Sequence, residues 1–272
     1  MNQMESPRKS ATQNCKNKDN ISYRKKKAFF DSLLTIYGRN TCLEVLQDSS
    51  LEVHRLHLAK SNRASGVIEE MIGLAKDRTI EIYYHNRLEL SRISRNRNQD
   101  QGVACDIKLP GFKHYTQSIK SISRAEKHSV IALDGVSNPQ NLGMIIRSVT
   151  ASKVNSILLP LSHGKHISPL TIKASAGTLF KSEILRCENL AKALEDFKTS
   201  GFKVAVMESN AKTTIDSFKA LGPIVYVLGN ETNGVSEQVE RLADYRLSIA
   251  LQRGIQSLNV AISAALVAFM LT

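Results

Sequence analysis

The chain has 272 residues and an apolar fraction of 42%, enough to pack one large core or two modest ones, which excludes a disordered polypeptide. Its net charge of +12 points to a polyanionic partner, nucleic acid above all. Cys15, Cys42, Cys105 and Cys187 are too scattered for a zinc site or a disulfide framework, which fits a reducing, cytoplasmic setting.

Residues 1–27 are polar and carry eight basic and two acidic side chains, half of the net charge, so they read as a flexible basic tail. Residues 28–108 read as a small α/β unit. Asn40 is placed to cap a short helix bearing Leu43 and Leu46. Leu56 and Leu58 alternate with His57 as in a half-buried strand. Ile68, Met71, Ile72 and Ala75 keep helical spacing. Ile80, Ile82 and Tyr84 mark a second strand. Arg87, Arg92, Arg95 and Arg97 crowd one segment, a composition suited to phosphate. Gln101-Gly102-Val103 begins another strand. Residues 109–127 show no period and read as a linker.

From His128 the pattern changes. Apolar runs at Val130–Leu133, Ser156–Leu159, Lys203–Met207, Ile224–Leu228 and Tyr245–Leu251 predict strands. Amphipathic stretches at Leu142–Ser152, Pro169–Gly177, Asn189–Ser200, Glu237–Leu242 and Leu258–Leu271 predict helices. The alternation implies an α/β fold with a mostly parallel sheet, whose ligands bind beyond the carboxyl ends of the strands. The apolar run Val260–Leu271 is too short to span a bilayer and reads as a buried helix, so no membrane is implied.

Three stretches of small and polar residues follow strands: Asn138–Arg147, Leu228–Ser236 and Arg253–Val260. Ser257 is placed as a helix N-cap and Gly254 as a turn residue. No Gly-x-Gly-x-x-Gly follows the first strand of this region, and no Gly-x-x-x-x-Gly-Lys-Ser/Thr occurs. Dinucleotide enzymes and P-loop NTPases are therefore excluded, as is an ordinary Rossmann-type methyltransferase. His163 and His166 share a loop without a third ligand, so no metal site is read.

Taken together, the stretches resemble the SpoU (TrmH-type) RNA 2′-O-ribose methyltransferases of the SPOUT superfamily. Leu133 through Arg147, with Asn138-Pro139-Gln140-Asn141-Leu142-Gly143 at its centre, is similar to the first family motif. Val227 through Ser236 is similar to the second, and Ile249 through Ile262, around Ser257-Leu258-Asn259-Val260, to the third. Ala174-Ser175-Ala176-Gly177 matches a further segment. Residues 30–107 resemble, through Gly38, Glu44 and Gln101-Gly102-Val103, the ribosomal-protein-like RNA-binding domain that these enzymes often carry.

The resemblance implies a C-terminal domain, residues 128–272, tied into a deep trefoil knot that binds S-adenosylmethionine. It also implies a homodimer with its site near the interface. Gly229, Ile249, Ser257, Leu258 and Asn259 are then the cofactor-binding residues. Asn141, Arg147 and Glu231 are the catalytic candidates, with Glu231 organising the pocket and Asn141 orienting Arg147 or the ribose. Arg147 acts either as an unusual base or by positioning a substrate phosphate and stabilising the developing oxyanion; its high intrinsic pKa favours the second. The implied reaction is 2′-O-methylation of RNA, ribosomal RNA ahead of transfer RNA. The rival reading is a non-catalytic RNA-binding or ribosome-assembly protein on the same fold. That rival is motivated by departures in the third motif, where Ile249-Ala250-Leu251 replaces Ile-Pro-Met and Arg253 replaces a glycine, with Gly254 displaced by one.

Overall fold

Two sheets form, each from the segment whose pattern asked for it. The computed structural model describes residues 33–63, 66–109, 111–120, 122, 127–161 and 167–270. The basic tail 1–27, Cys15, His163 and His166 lie outside the described residues. In the first unit β1 (Leu33–Tyr37), α1 (Arg39–Gln47), β2 (Val53–Ala59), α2 (Gly66–Asp77), β3 (Glu81–His85), α3 (Arg87–Ser94) and β4 (Val103–Lys108) follow one another. The strand order is β1-β4-β2-β3, with β2 and β3 parallel and the other pairs antiparallel.

The pleat sends Ile36, Leu56, Leu58, Cys105 and Ile107 to one face, where Val45, Leu46, Ile68 and Met71 of α1 and α2 bury them. On the opposite face α3 covers Tyr37, Ala59 and Ala104 through Leu90. Helix α3 starts at a capping box made by Asn86 and Glu89. Asn40 does not cap α1. Gly38 occupies the N-cap position at φ 96°, a value glycine adopts freely, and no side chain caps that end.

The second unit begins inside the stretch expected to be a linker. There β5 (Lys113–His114) pairs with the sheet, and α4 (Tyr115–Ile119) buries Tyr115, whose hydroxyl donates to Asp196 at 2.7 Å. Elements of two and five residues are too short to show a period. Next come β6 (Ser129–Leu133), α5 (Pro139–Thr150), β7 (Ser156–Pro160), α6 (Pro169–Ala174), a 3-10 turn (Thr178–Lys181), β8 (Ile184–Cys187), α7 (Leu190–Thr199) and β9 (Lys203–Met207). They are followed by β10 (Thr213–Thr214), β11 (Ile224–Leu228), α8 (Glu237–Glu240), β12 (Tyr245–Ser248) and α9 (Val260–Met270).

The strand order is β10-β12-β9-β11-β6-β7-β8-β5, and every pair is parallel. All five residues of β11 are buried, as a central parallel strand requires. The chain leaves β6 for β7 and β8 on one side, then crosses back to β9 and β11 on the other. The order in which strands are added therefore reverses between β6 and β11, a switch point that leaves a crevice at the carboxyl ends there.

The two units meet along α6 and the 3-10 turn. Lys173 Nζ donates to the Gln99 carbonyl at 2.7 Å and lies 5.3 Å from the centre of the Tyr37 ring. Lys181 pairs with Glu44 at 2.7 Å. No helix among the described residues is long and apolar enough to cross a membrane.

Candidate active site

The carboxyl ends of three adjacent strands enclose a cleft of about 300 Å³. The tip of β9 contributes Met207, Glu208 and Ser209; the tip of β11 contributes Leu228 to Thr232 and Gly234; and the segment after β12 contributes Ile249, Leu251 and Gln256 to Leu258. Val260 and Ser263 of α9 close one side. Apolar walls interrupted by a few polar groups are the usual make-up of a small-molecule site.

The loop after β11 is built by its own backbone. Asn230 N–H donates to the Gly234 carbonyl at 3.1 Å and Gly234 N–H returns to the Asn230 carbonyl at 3.0 Å. The Asn230 side chain accepts from the N–H groups of Thr232 and Asn233. A Cβ on Gly229 would lie 2.0 Å from the Gly234 carbonyl carbon. The glycine is thus required by the loop folding back on itself, and not only by approach of a ligand. Ser236 N–H donates to Asp134 at the end of β6, at 2.7 Å, which fixes this loop to the neighbouring strand.

Helix α5 starts at Asn138, whose side chain accepts from the N–H groups of Gln140 and Asn141, with Pro139 following. Asn141 is therefore free of capping duty. Its buried side chain donates to Glu231 through Nδ2 and accepts from Asn259 Nδ2 at 3.3 Å. Asn259 Oδ1 in turn accepts from Ala261 N–H at 2.9 Å. So Asn259, not Ser257, caps the last helix, which begins at Val260. Ser257 lies three residues before the first helical residue, in the cleft wall.

The structure places Gly229, Glu231, Ile249, Ser257 and Leu258 on one cleft and links Asn141 to it through Glu231. Arg147 lies elsewhere. It is exposed on α5, beside a separate hollow lined by Met144, Ala174, Asn259, Ile262 and Phe269. No carboxylate pairs with its guanidinium among the described residues. Asn259 borders the Arg147 hollow, so Glu231, Asn141 and Asn259 form a polar chain from one space to the other. The sequence reading missed Glu208, held by Arg246 at 2.8 Å, and the other residues at the tip of β9. The carboxyl-end rule could have found them, since β9 was a predicted strand. No group of three or more His, Cys, Asp or Glu residues among the described residues could hold a metal ion.

Comparison with known proteins gives these parts a family. The SpoU rRNA Methylase family profile matches residues 128–269, and a second profile, RNA 2′-O ribose methyltransferase substrate binding, matches residues 35–112. The chain belongs to the SpoU rRNA methylase family. It is an RNA methyltransferase by that membership. A relative called "Uncharacterized tRNA/rRNA methyltransferase" in Mycolicibacterium vanbaalenii is 30% identical over 87% of this chain and 75% of its own length.

In fold, this SpoU methylase is similar to an AdoMet-bound rRNA methyltransferase from Sinorhizobium meliloti, with a TM-score of 0.70 at 22% identity over 90% of this chain and 89% of that one. It is equally similar to the SpoU methyltransferase AviRb from Streptomyces viridochromogenes, with a TM-score of 0.70 at 18% identity over 90% of each chain. The match covers both units, so the smaller sheet and the large parallel sheet recur together in these neighbours.

Proposed function

We propose that the chain transfers a methyl group from S-adenosylmethionine to a ribose 2′-hydroxyl of RNA in the cytoplasm, with ribosomal RNA ahead of transfer RNA as substrate. The unit that begins at β5 and holds residues 128–272 is the methyltransferase unit and residues 28–108 are the RNA-docking unit; residues 1–27 add a basic arm. The observation that carries this reading is the cleft beyond β9, β11 and β12, tied by Asn141 to the helix that bears Arg147. The relatives' names and the AdoMet-bound neighbour support the donor and the RNA.

The cleft fits that donor. Its volume falls at the lower end of ligand sites. Ile249, Leu251 and Leu258 offer flat apolar walls, and the backbone of the 229–234 loop and Ser257 offer hydrogen bonds. S-adenosylmethionine would be held there by Gly229, Ile249, Ser257, Leu258 and the loop that Asn259 anchors, and when bound it supplies an electrophilic methyl group. Glu231, fixed by Asn141, keeps the loop shape. Arg147 faces its own hollow and not this cleft, so it meets the ribose only where a second copy brings the two spaces together; there it holds an RNA phosphate and stabilises charge growing on the ribose oxygen. We also assign to the segment after β12 the threaded course of a deep trefoil knot; its return past the tips of β9 and β11 to pack α9 on α5 supports this.

A second copy of the chain completes the assembly. Met144, Ile262, Phe269 and Met270 are large apolar side chains exposed beside Arg147. A patch of this kind at the end of an apolar helix supports a homodimer whose interface includes the Arg147 hollow.

The test is methyl transfer from labelled S-adenosylmethionine to ribosomal and transfer RNA, with mass mapping of 2′-O-methyl nucleotides. Methyl groups on ribose that vanish with Arg147→Ala are expected. Methyl groups found only on bases would overturn the reading. The binding-only alternative draws on Arg253, which sits at φ 61° where glycine is favoured. Calorimetry that detects no cofactor binding at millimolar concentration would support it.

A further inference from the structure

The face of the first sheet that α3 leaves open looks across a cleft of about 810 Å³ at Ser168, Pro169 and Leu170 of the second unit. Its floor is polar and hydrogen-bonded within itself. Thr35 Oγ1 donates to Asp106 Oδ1 at 2.7 Å, and His57 Nε2 lies 3.0 Å from Asp106 Oδ2. His57 Nδ1 lies 3.0 Å from His85 Nε2, and the His57 side chain is only 7% exposed. Asp106 thus spends both oxygens on neighbours in the sheet. It is the only carboxylate among the lining residues.

The walls are cationic and aromatic. Arg55 sits 5.2 Å from the centre of the Tyr83 ring and faces Glu81 at 3.6 Å. Arg92 and Arg95, from the end of α3, are exposed and pair with no carboxylate among the described residues. Tyr83 is 40% exposed and stacks with His85 at an interplanar angle of 18°. Two guanidinium groups without a carboxylate partner beside a half-exposed aromatic ring match a phosphodiester strand carrying unstacked bases.

We propose that this cleft binds an unpaired RNA strand, with its phosphates on Arg92 and Arg95 and a base on Tyr83. The inference rests on the RNA-methylation reading and names where the substrate docks. A duplex hides its bases and is met across its open minor groove, so a walled slot selects the single strand. Position supports the same conclusion. Helix α6 supplies Pro169 and Leu170 to this cleft and Ala174 to the Arg147 hollow, and at 1.5 Å per residue its six residues span about 9 Å. A strand leaving the slot over α6 reaches Arg147. Lys173, on the same helix, holds Gln99 and faces Tyr37, so the slot keeps its width.

The experiment measures fluorescence anisotropy of the full chain, without cofactor, on a labelled mixed-sequence single-stranded RNA and on a perfect hairpin of the same length. Wild type binds the single strand more tightly. The triple variant Tyr83→Ala, Arg92→Ala, Arg95→Ala loses at least about tenfold in affinity for it, in line with one stacked base and two phosphate contacts. Its salt dependence falls by a slope of about 1.4, at about 0.7 per phosphate contact for single strands. All three side chains are exposed, and an unchanged melting temperature controls for folding.

In parallel, 4-thiouridine in the single strand is photo-crosslinked to wild type. Crosslinks on the peptides of β3 and α3 are expected. Equal affinity of variant and wild type, preference for the hairpin, no binding of either probe, or crosslinks confined to the separate basic hollow lined by Arg39, Arg63 and Arg87 would each overturn the proposal. Methyl transfer is assayed separately on cellular RNA. Transfer by wild type with unchanged binding by the variant removes the slot and keeps the enzyme; slot binding without transfer does the reverse.

Discussion

Asn141 and Glu231 lie ninety positions apart in the chain and share a hydrogen bond in which the amide donates to the carboxylate. The carbonyl of the same amide accepts from Asn259. One buried side chain therefore joins the helix after β6, the loop after β11 and the start of the last helix. Each partner comes from a different motif, and each motif follows a different strand. A charge-assisted bond of this kind is stronger than a neutral one.

Replacing Asn141 by Ala should then act on both cofactor and stability. The expected loss is about 0.5–1.5 kcal/mol of unfolding free energy, from the hydrogen bonds of the buried amide; Glu231 and Asn259 are exposed and turn to water. S-adenosylmethionine affinity should drop as well, because the 229–234 loop loses its outer tether. Denaturant melts and calorimetry check both. Glu231→Gln keeps the size and one acceptor, so it should lose less. An Asn141→Ala variant as stable and as tightly binding as wild type would show that the link carries nothing.

Gly229 and Gly143 should each reject a methyl group, for different reasons. On Gly229 the added carbon meets the backbone of Gly234 and Val235 at 2.0–2.3 Å, so Gly229→Ala must open the loop that walls the cleft. On Gly143 it meets Ala174 Cβ and the Thr171 carbonyl at 2.5 Å, so Gly143→Ala pushes α6 off α5. Overpacking of this kind costs about 1–3 kcal/mol. Gly229→Ala should abolish cofactor binding with the sheet intact by circular dichroism. Gly143→Ala should lower the melting temperature and loosen the slot between the units. Normal cofactor binding by Gly229→Ala would contradict the loop geometry.

Much of this was legible in the chain, and the physics says which parts. Strand β11 is an unbroken apolar run because both faces are covered, and its bounds follow from composition alone. Pro169 after Ser168, and Asn189 before Leu190, mark helix starts through capping, a local rule. Strand β8 went unseen because Ile184, Leu185 and Cys187 make too short a run, with Arg186 inside it. The expected cap at Ser257 failed because the helix starts only at Val260, where Asn259 caps it and reaches Asn141, a partner more than a hundred residues away. Motif resemblance gathered Gly229, Glu231, Ile249, Ser257 and Leu258, which do share one space. It could not show that Arg147 faces a different space, since helix facing depends on how α5 packs against α9.

Arg147→Ala should leave stability within about 0.5 kcal/mol, as exposed residues away from special features usually do. Cofactor affinity should also hold, because the side chain lines the hollow and not the cleft. Methyl transfer should fall by two orders of magnitude or more, in the range seen when a charge-stabilising group is removed from a transition state. Lysine at this position keeps the charge and loses the fork, so it should recover only part of the rate. A variant with full turnover would remove Arg147 from the chemistry.

Stability should fall on acidification through two groups in the first sheet. Burial, together with the charge of His57, holds the His85 pKa below its ordinary 6.5. For Asp106, burial pushes upward, but hydrogen bonds from His57 and Thr35 outweigh it and bring the carboxyl below 3.8. In both cases the unfolded chain takes a proton before the folded one does. The stabilising contribution is complete above the unfolded pKa and is lost as pH falls: first below about 6.5 for His85, then below about 3.8 for Asp106. Denaturant midpoints measured from pH 7.5 to 3 should show both limbs. His85→Gln should flatten the upper limb and spare the lower. An unchanged upper limb in that variant would assign the effect to other histidines.

Arg253 and Gly254 hold successive left-handed conformations, φ 61° and 75°, in the turn closed by Ile255 N–H on the Gln252 carbonyl at 3.3 Å. A β-carbon is strained there, and a non-glycine residue in this region costs about 1 kcal/mol or more. Glycine removes the strain and adds freedom to the unfolded chain, so the two effects partly cancel. Arg253→Gly should raise stability by a few tenths of a kcal/mol to about 1 kcal/mol. Gly254→Val should lower it, since it places a branched side chain at the second strained position. The turn ends at Ile255, next to Gln256 and Ser257, which wall the cleft, so relief of strain should tighten cofactor binding as well. Parallel melts and calorimetry on the two variants decide the matter. Stability lost in Arg253→Gly would mean that the guanidinium makes a contact worth more than the strain its backbone bears.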